Sequence, residues 1–98
     1  MDEWDPRLLE LTQTAVHDPL RARQLVAEDP TVLDLRTGIG ETALHYLAVE
    51  NYTDAVRLLI ELGDAVNVRN EFGNSAIEEA IQIEAYETAA VLRAAGAT

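Results

Sequence analysis

The chain has 98 residues, enough for one small domain whose core buries roughly 60–68% of the unfolded surface. Hydrophobic residues make up 48% and charged residues 26%, a balance typical of a folded globular protein. The absence of cysteine excludes disulfides, thiolate metal sites and cysteine nucleophiles. Seven basic residues, all arginine, stand against 18 acidic ones, and the resulting net charge of −11 argues against nucleic-acid or anionic-membrane binding.

The ends and the hydropathy of the chain indicate its location. No apolar run approaches the roughly 20 residues of a membrane-spanning helix, and the acidic start lacks the basic and apolar segments of a signal peptide. We therefore expect a cytoplasmic protein. We also expect Met1 to be a natural beginning.

An internal repeat dominates the sequence. A shift of 33 residues aligns the chain with itself without gaps. The matched pairs include Arg36 with Arg69, Gly40 with Gly73, Ala43 with Ala76, Leu59 with Leu92, and Gly63 with Gly96. A fixed period of this length indicates stacked copies of one small unit.

In the first copy, two dipeptides mark helix starts. Asp5-Pro6 and Asp18-Pro19 each combine an N-cap residue with proline at the first helical position. We expect Trp4 to cover this first helix pair as a cap. His17 is expected to be exposed at the end of the first helix.

In the middle copy, the pattern predicts two helices separated by a tight turn. Thr42 caps a helix that runs to about Glu50, and Asn51 ends it with a left-handed backbone. A second helix covers about residues 53–62, and Gly63 ends it.

In the third copy, the same pattern returns. Ser75 caps a helix whose buried face is predicted to carry Ile77, Ala80 and Ile81. The last helix is predicted to present Val91, Leu92 and Ala95, with Gly96 after it. Between the helix pairs, residues 33–41 and 66–74 hold short extended pairs followed by glycine, as in a β-turn finger.

The segment of residues 40–45, Gly-Glu-Thr-Ala-Leu-His, resembles the ankyrin-repeat signature Gly-x-Thr-Pro-Leu-His. Residues 58–63 and 66–68 are similar to the second helix and the following turn of that repeat. The resemblance covers residues 34–96 and extends to 6–33 only through the period. Alanine stands at 43 and 76 where the family prefers proline, and Glu78 replaces the histidine in the third copy.

The resemblance implies an all-α fold, an ankyrin-repeat solenoid of about three helix-turn-helix units with short β-turn fingers. We expect one domain over residues 1–98. Residues 1–33 would be a degenerate N-terminal capping repeat, 34–66 the second repeat, and 67–98 a C-terminal capping repeat.

Catalysis is not expected from these residues. The resemblance implies that His45 hydrogen-bonds the threonine of its motif and nearby backbone, and no serine or cysteine is placed beside it as a nucleophile. The acids form no metal pattern, since Glu78 and Glu79 point about 100° apart around a helix. Glu84 and Glu87 are expected to form a solvated face. We expect no metal and no cofactor.

The resemblance places a partner-binding face on the finger tips and the exposed side of the first helix of each repeat. The finger positions are Arg36, Ile39 and Glu41, then Arg69, Phe72 and Asn74. The helix positions are Tyr46, Val49 and Glu50, then Glu79, Gln82 and Ile83. Arginine and aromatic residues are enriched in protein–protein contacts, which favours a partner-binding groove. The alternative is that Phe72 packs against its own hairpin and Tyr46 is half-buried on the next helix.

Two functions lead, and a structural role that caps or bridges a larger assembly through the exposed terminal repeat also stays open. The first is a non-catalytic module that binds another protein through this face, as a monomer or a weak homodimer. The alternative is an acidic inhibitor or immunity-type protein that neutralises a basic enzyme through charge.

Overall fold

The computed structural model describes residues 4–98, which form six α-helices and no β-strand. The expected natural beginning at Met1 lies outside the described residues. The helices are α1 (Pro6–His17), α2 (Pro19–Glu28), α3 (Ala43–Val49), α4 (Thr53–Glu61), α5 (Ala76–Gln82) and α6 (Tyr86–Ala94). A 3-10 helix, Pro30–Asp34, follows α2. The predicted all-α solenoid of three helix pairs is confirmed.

Local chemistry sets the helix ends as the sequence predicts. The side chains of Asp5 and Asp18 accept hydrogen bonds from backbone amides at the starts of α1 and α2, each with proline just inside the helix. Asn51 has the predicted left-handed backbone, with φ of 60°. The hydroxyl of Ser75 accepts from the amide of Glu78 at the start of α5, and the amide of Ser75 donates in return to the Glu78 carboxylate, which forms a capping box.

The core is built from the positions that repeat. Leu11, Leu44 and Ile77 lie at equivalent positions of the three copies, and all are buried. Leu59 and Leu92 are fully buried one period apart in α4 and α6. Because each pair packs on the next, with α3 against α5 and α4 against α6, one continuous core runs through the stack.

Three details differ from the sequence predictions. Ile81 is 41% exposed although its counterpart one repeat earlier, Ala48, is fully buried, since residues 4–98 place no further helix pair against this end. Ala95 is exposed and lies just beyond α6. Leu33 belongs to the 3-10 helix instead of an extended pair, because the Asp29-Pro30 start favours a helical turn.

Glu84 and Glu87 do not share one helix face. Glu84 lies in the turn between α5 and α6 with φ of 61°, one period after Asn51, whereas Glu87 is in the first turn of α6. The repeat therefore imposes a left-handed backbone on a glutamate, which tolerates it less well than glycine or asparagine.

Candidate functional site

The two fingers have the same hydrogen-bonded shape. In the first, the amide of Thr37 donates to the carbonyl of Glu41 at 2.9 Å; in the second, Asn70 donates to Asn74 at 2.9 Å. The amide of Glu71 also donates to the carbonyl of Ile39 at 2.8 Å, which ties the two fingers together. The fingers therefore form one connected surface.

Gly40 is required at this junction. Its φ is 79°, and a Cβ atom there would lie 3.2 Å from the backbone nitrogen of Glu71. Any other residue here would adopt a positive φ that its side chain disfavours. Its Cβ atom would also press on the backbone of Glu71, which cannot easily shift. The spacing between the fingers thus depends on a glycine.

His45 links its own repeat to the next finger. Its Nε2 lies 2.9 Å from the carbonyl oxygen of Asn74, so this nitrogen carries the proton and donates. Nδ1 then accepts from the backbone N–H of Thr42 at 3.1 Å. The ring is 1% exposed. The predicted structural role of His45 is confirmed.

Glu78 takes the place of that histidine in the third repeat. Its carboxylate accepts from the amide of Ser75 at 2.9 Å and from Arg69 at 2.6 Å. Arg69 also donates to the carbonyl of Gly73 at 2.7 Å. Arg69, which the sequence assigned to partner binding, therefore holds the second finger on α5, although its side chain stays half-exposed.

Asn70 hydrogen-bonds two carboxylates on the predicted partner-binding face. Its amide nitrogen donates to Glu41 at 3.2 Å and to Glu79 at 2.9 Å. Its Oδ1 accepts from the amides of Phe72 and Asn74, both at 3.0 Å. Sequence reasoning did not select Asn70, because its importance comes from meeting acids on two other elements.

The two carboxylates repel one another. Burial, followed by the neighbouring charge of Glu41, raises the pKa of Glu79, while the Asn70 amide and His45 oppose that shift. One oxygen of Glu79 is buried without a hydrogen-bond partner. This part of the face would gain from a positive charge.

An aromatic groove lies between α1 and α3. Trp4 meets Tyr46 edge-to-face, with ring centroids 5.0 Å apart and an interplanar angle of 86°. The groove encloses about 570 Å³. It is lined by Trp4, Leu9, Thr12, Gln13, Val16, His17, Tyr46 and Tyr52. The predicted cap residue Trp4 thus reaches the second repeat, and the exposed His17 lines the groove.

The remaining predicted face residues differ in exposure. Phe72 projects from the second finger with 68% of its surface exposed, and Ile83 is 48% exposed just after α5. Arg36, Glu50 and Gln82 are exposed, and Ile39, Val49 and Asn74 are half-buried. Their contact with a partner stays a prediction.

A larger groove, which shares Val16 and Tyr52 with the aromatic groove, carries both signs of charge. Arg23 pairs there with Glu61 at 3.1 Å, and Arg57 with Asp54 at 2.8 Å. These are exposed ion pairs, which contribute little to binding or stability, and Glu87 adds a further acid to the lining. Among residues 4–98, no cluster of three or more potential metal ligands occurs. None of the described helices is long and apolar enough to cross a membrane.

Comparison with known proteins decides the family. The model for ankyrin repeats in three copies matches residues 12–98. The chain belongs to the ankyrin-repeat family. This match confirms the family resemblance seen in residues 40–45. Proteins of this family are typically non-catalytic modules for protein–protein interaction.

Individual relatives share the repeats over part of their length. An ankyrin repeat protein from Rickettsia bellii is 30% identical over 67 residues, which cover 68% of this chain and 27% of that protein. The potassium channel AKT2/3 of Arabidopsis thaliana is 37% identical over 59 residues, which cover 60% of this chain and 7% of the channel. This ankyrin-repeat chain thus spans only a minor part of the curated relatives it matches.

Solved structures confirm the fold. A chain in the complex of the predatory endopeptidase Bd0816 from Bdellovibrio bacteriovorus with immunity protein Bd3460 superimposes with a TM-score of 0.76. That match has 23% identity and covers 86% of this chain and 44% of the other. The human ASB11 ankyrin repeat domain gives a TM-score of 0.74 at 22% identity, covering 90% and 40% of the two chains.

Proposed function

We propose that this ankyrin-repeat chain is a non-catalytic module that captures another protein on the face formed by its fingers and first helices. The observation that carries the proposal is the meeting of Glu41 and Glu79 on Asn70, beside the exposed Phe72. Charged groups that lack compensation, next to exposed aromatic surface, are typical of a surface that a partner completes.

The test is capture from a lysate of the source cells with matched baits. The face variant replaces Arg36 and Phe72 by alanine and leaves Arg69 in place, because Arg69 holds the second finger. The control variant, Leu20→Ala, removes an apolar side chain that is 74% exposed on α2. We expect the face variant alone to lose the partner, with unchanged helical circular dichroism. A partner lost by the Leu20 variant and kept by the face variant would place binding elsewhere.

The acidic inhibitor or immunity-type protein is the second candidate. Two observations favour it: the net charge of −11, and a structural neighbour that comes from the complex of an endopeptidase with an immunity protein. A charge-driven inhibitor associates quickly at low salt and loses that rate steeply as salt rises. Surface plasmon resonance of the captured partner over a salt series measures this, and a salt-independent association rate would exclude the charge mechanism.

The organisation of the ends and the oligomeric state are further proposals. We infer that residues 1–33 and 67–98 cap the stack and that the chain is a monomer or a weak homodimer. The end of the stack formed by α5 and α6 exposes Ile81 and Tyr86, at 41% and 62%. Light scattering over a concentration series, with Ile81→Glu as the comparison, tests whether this end associates. The cytoplasmic location stays a prediction.

A further inference from the structure

The groove between α1 and α3 concentrates the aromatic surface of the protein. It contains the chain's one tryptophan and two of its three tyrosines, Trp4, Tyr46 and Tyr52. Its volume of about 570 Å³ lies within the range of sites that hold a side chain or a small ligand. The groove joins the partner-binding face proposed above, because Tyr46 belongs to both.

The ring geometry leaves aromatic surface available. An edge-to-face pair uses the face of only one ring, so the contact between Trp4 and Tyr46 does not cover the face of the other. Both side chains are half-buried and so remain partly accessible. Ring faces carry negative electrostatic potential and attract cations, and a planar guanidinium can also stack on them.

Among the described residues, the lining of the groove contains no arginine that would repel a cation. His17 is the one titratable group other than tyrosine in its lining. Five of the seven arginines form ion pairs with acids elsewhere: Arg7, Arg21, Arg23, Arg57 and Arg69.

The acidic neighbours lie one repeat away. Glu79 stands one period after Tyr46, on the helix packed against α3, and it shares Asn70 with Glu41. No arginine among residues 4–98 forms an ion pair with either glutamate. A positively charged partner would therefore be attracted both by the aromatic ring faces of the groove and by Glu41 and Glu79.

We propose that the groove between α1 and α3 binds an arginine side chain from a basic segment of the partner, stacked against Trp4 and Tyr46, while Glu41 and Glu79 attract the same segment from the adjoining repeat. The proposal rests on the partner-binding function above and specifies the chemistry of that partner. Arginine fits better than lysine, because its guanidinium is flat, weakly hydrated and able to stack.

Trp4 is a natural reporter, since it is the only tryptophan. The probe is the blocked peptide acetyl-Leu-Arg-Arg-Leu-amide, titrated into the full chain while tryptophan emission is recorded. The matched peptide carries citrulline in place of both arginines, which keeps the shape and removes the charge. We expect a saturable change with the arginine peptide and about threefold to thirtyfold weaker binding with citrulline, the range that cation–π energies imply. A lysine peptide should fall between them.

Variants of the chain separate the two parts of the site. Tyr46→Leu keeps apolar bulk and leaves the reporter in place, and we expect it to weaken the arginine peptide about tenfold. Glu79→Gln should weaken binding and flatten its salt dependence. Tyr86→Leu, on an exposed tyrosine of α6, should change nothing. Circular dichroism verifies that each variant is folded.

Two results would overturn the proposal: equal affinity for the arginine and citrulline peptides, or no saturable change in Trp4 emission. Neither result would contradict the proposed binding function if the bait with Arg36 and Phe72 replaced by alanine still fails to capture the partner. The binding function itself would be contradicted if that bait captured the partner as well as the original chain does. The two failures are thus distinguishable.

Discussion

Asp64 occupies the position that the small apolar residue Ala97 takes in the next repeat. Its backbone amide donates to the carbonyl of Leu59 at 3.0 Å, and one period later Ala97 donates to Leu92 at the same distance. Ala97 is 6% exposed and Asp64 is 9% exposed. One carboxylate oxygen of Asp64 is buried without a partner. The chain therefore buries an acid where its own next repeat buries a methyl group.

The cost of this burial depends on pH. Burial raises the pKa of Asp64 from 3.8 to about 7, the backbone amide of Ala65 opposes the shift, and nearby Asp34 adds to it. Below the unfolded value of 3.8 both states are protonated, so there is no penalty. As pH rises toward 7, the unfolded state loses its proton first, and stability falls by about 1.4 kcal/mol per pH unit. Above pH 7 the penalty levels off at no more than about 4 kcal/mol.

Asp64→Ala should remove this dependence. Urea unfolding followed by circular dichroism, at about pH 5 and about pH 8, gives the free energy of unfolding of both proteins. We expect the advantage of the variant over the original chain to grow by a few kcal/mol between these two pH values. The difference in free energy of unfolding between the two proteins is the informative quantity, because the contributions of other carboxylates, such as Glu79, are the same in both and cancel.

Two control variants define the cause. Asp64→Asn cannot ionise at this position, so the free energy of unfolding should change with pH no more than that of Asp64→Ala. It should be lower than that of the alanine variant at both pH values, because the asparagine keeps a buried polar group. Asp34→Asn should shrink the pH dependence of the original chain without abolishing it. An advantage for Asp64→Ala that is the same at both pH values would refute the reasoning, since the carboxylate would then titrate normally.

Three further predictions concern the stack. His45→Ala should lower the free energy of unfolding by about 3 kcal/mol, because it leaves the buried backbone N–H of Thr42 unpaired and removes a fully buried ring; urea unfolding at neutral pH measures this. Glu84→Gly should raise the melting temperature, with a gain of about 1 kcal/mol from relief of its left-handed backbone; an unchanged or lower value would show that the turn is not strained. Leu59→Ala should cost about 2–5 kcal/mol in the same unfolding assay, whereas Ile81→Ala should cost under about 1 kcal/mol; equal losses would contradict the assigned end of the stack.

Much of the fold could be predicted because its causes are local and repeated. Proline after aspartate starts α1 and α2, and glycine or asparagine ends a helix wherever the backbone must turn left-handed. The period of 33 residues then places equivalent apolar side chains over one another. These local causes suffice to predict the three-pair stack, and the resemblance of residues 40–45 to the family motif supplied the role of His45.

The candidate site was only partly predictable, since its contacts join residues that are distant in sequence. Sequence reasoning, through the resemblance to ankyrin repeats, assigned Glu41, Tyr46 and Glu79 to one face, but it did not select Asn70, which bonds acids from two other elements. It treated Trp4 as a cap of the first pair, whereas the ring packs on the second repeat.

The sequence by itself determined the repeated unit, because capping, turn chemistry and apolar spacing act within a few residues. Only the tertiary structure decided how each copy departs from that unit. Asp64 is unusual because packing encloses it, and Ile81 is exposed because no described helix pair follows it. Burial and electrostatic fields are properties of the assembled stack, so residues at equivalent positions of successive repeats contribute differently to the free energy of unfolding.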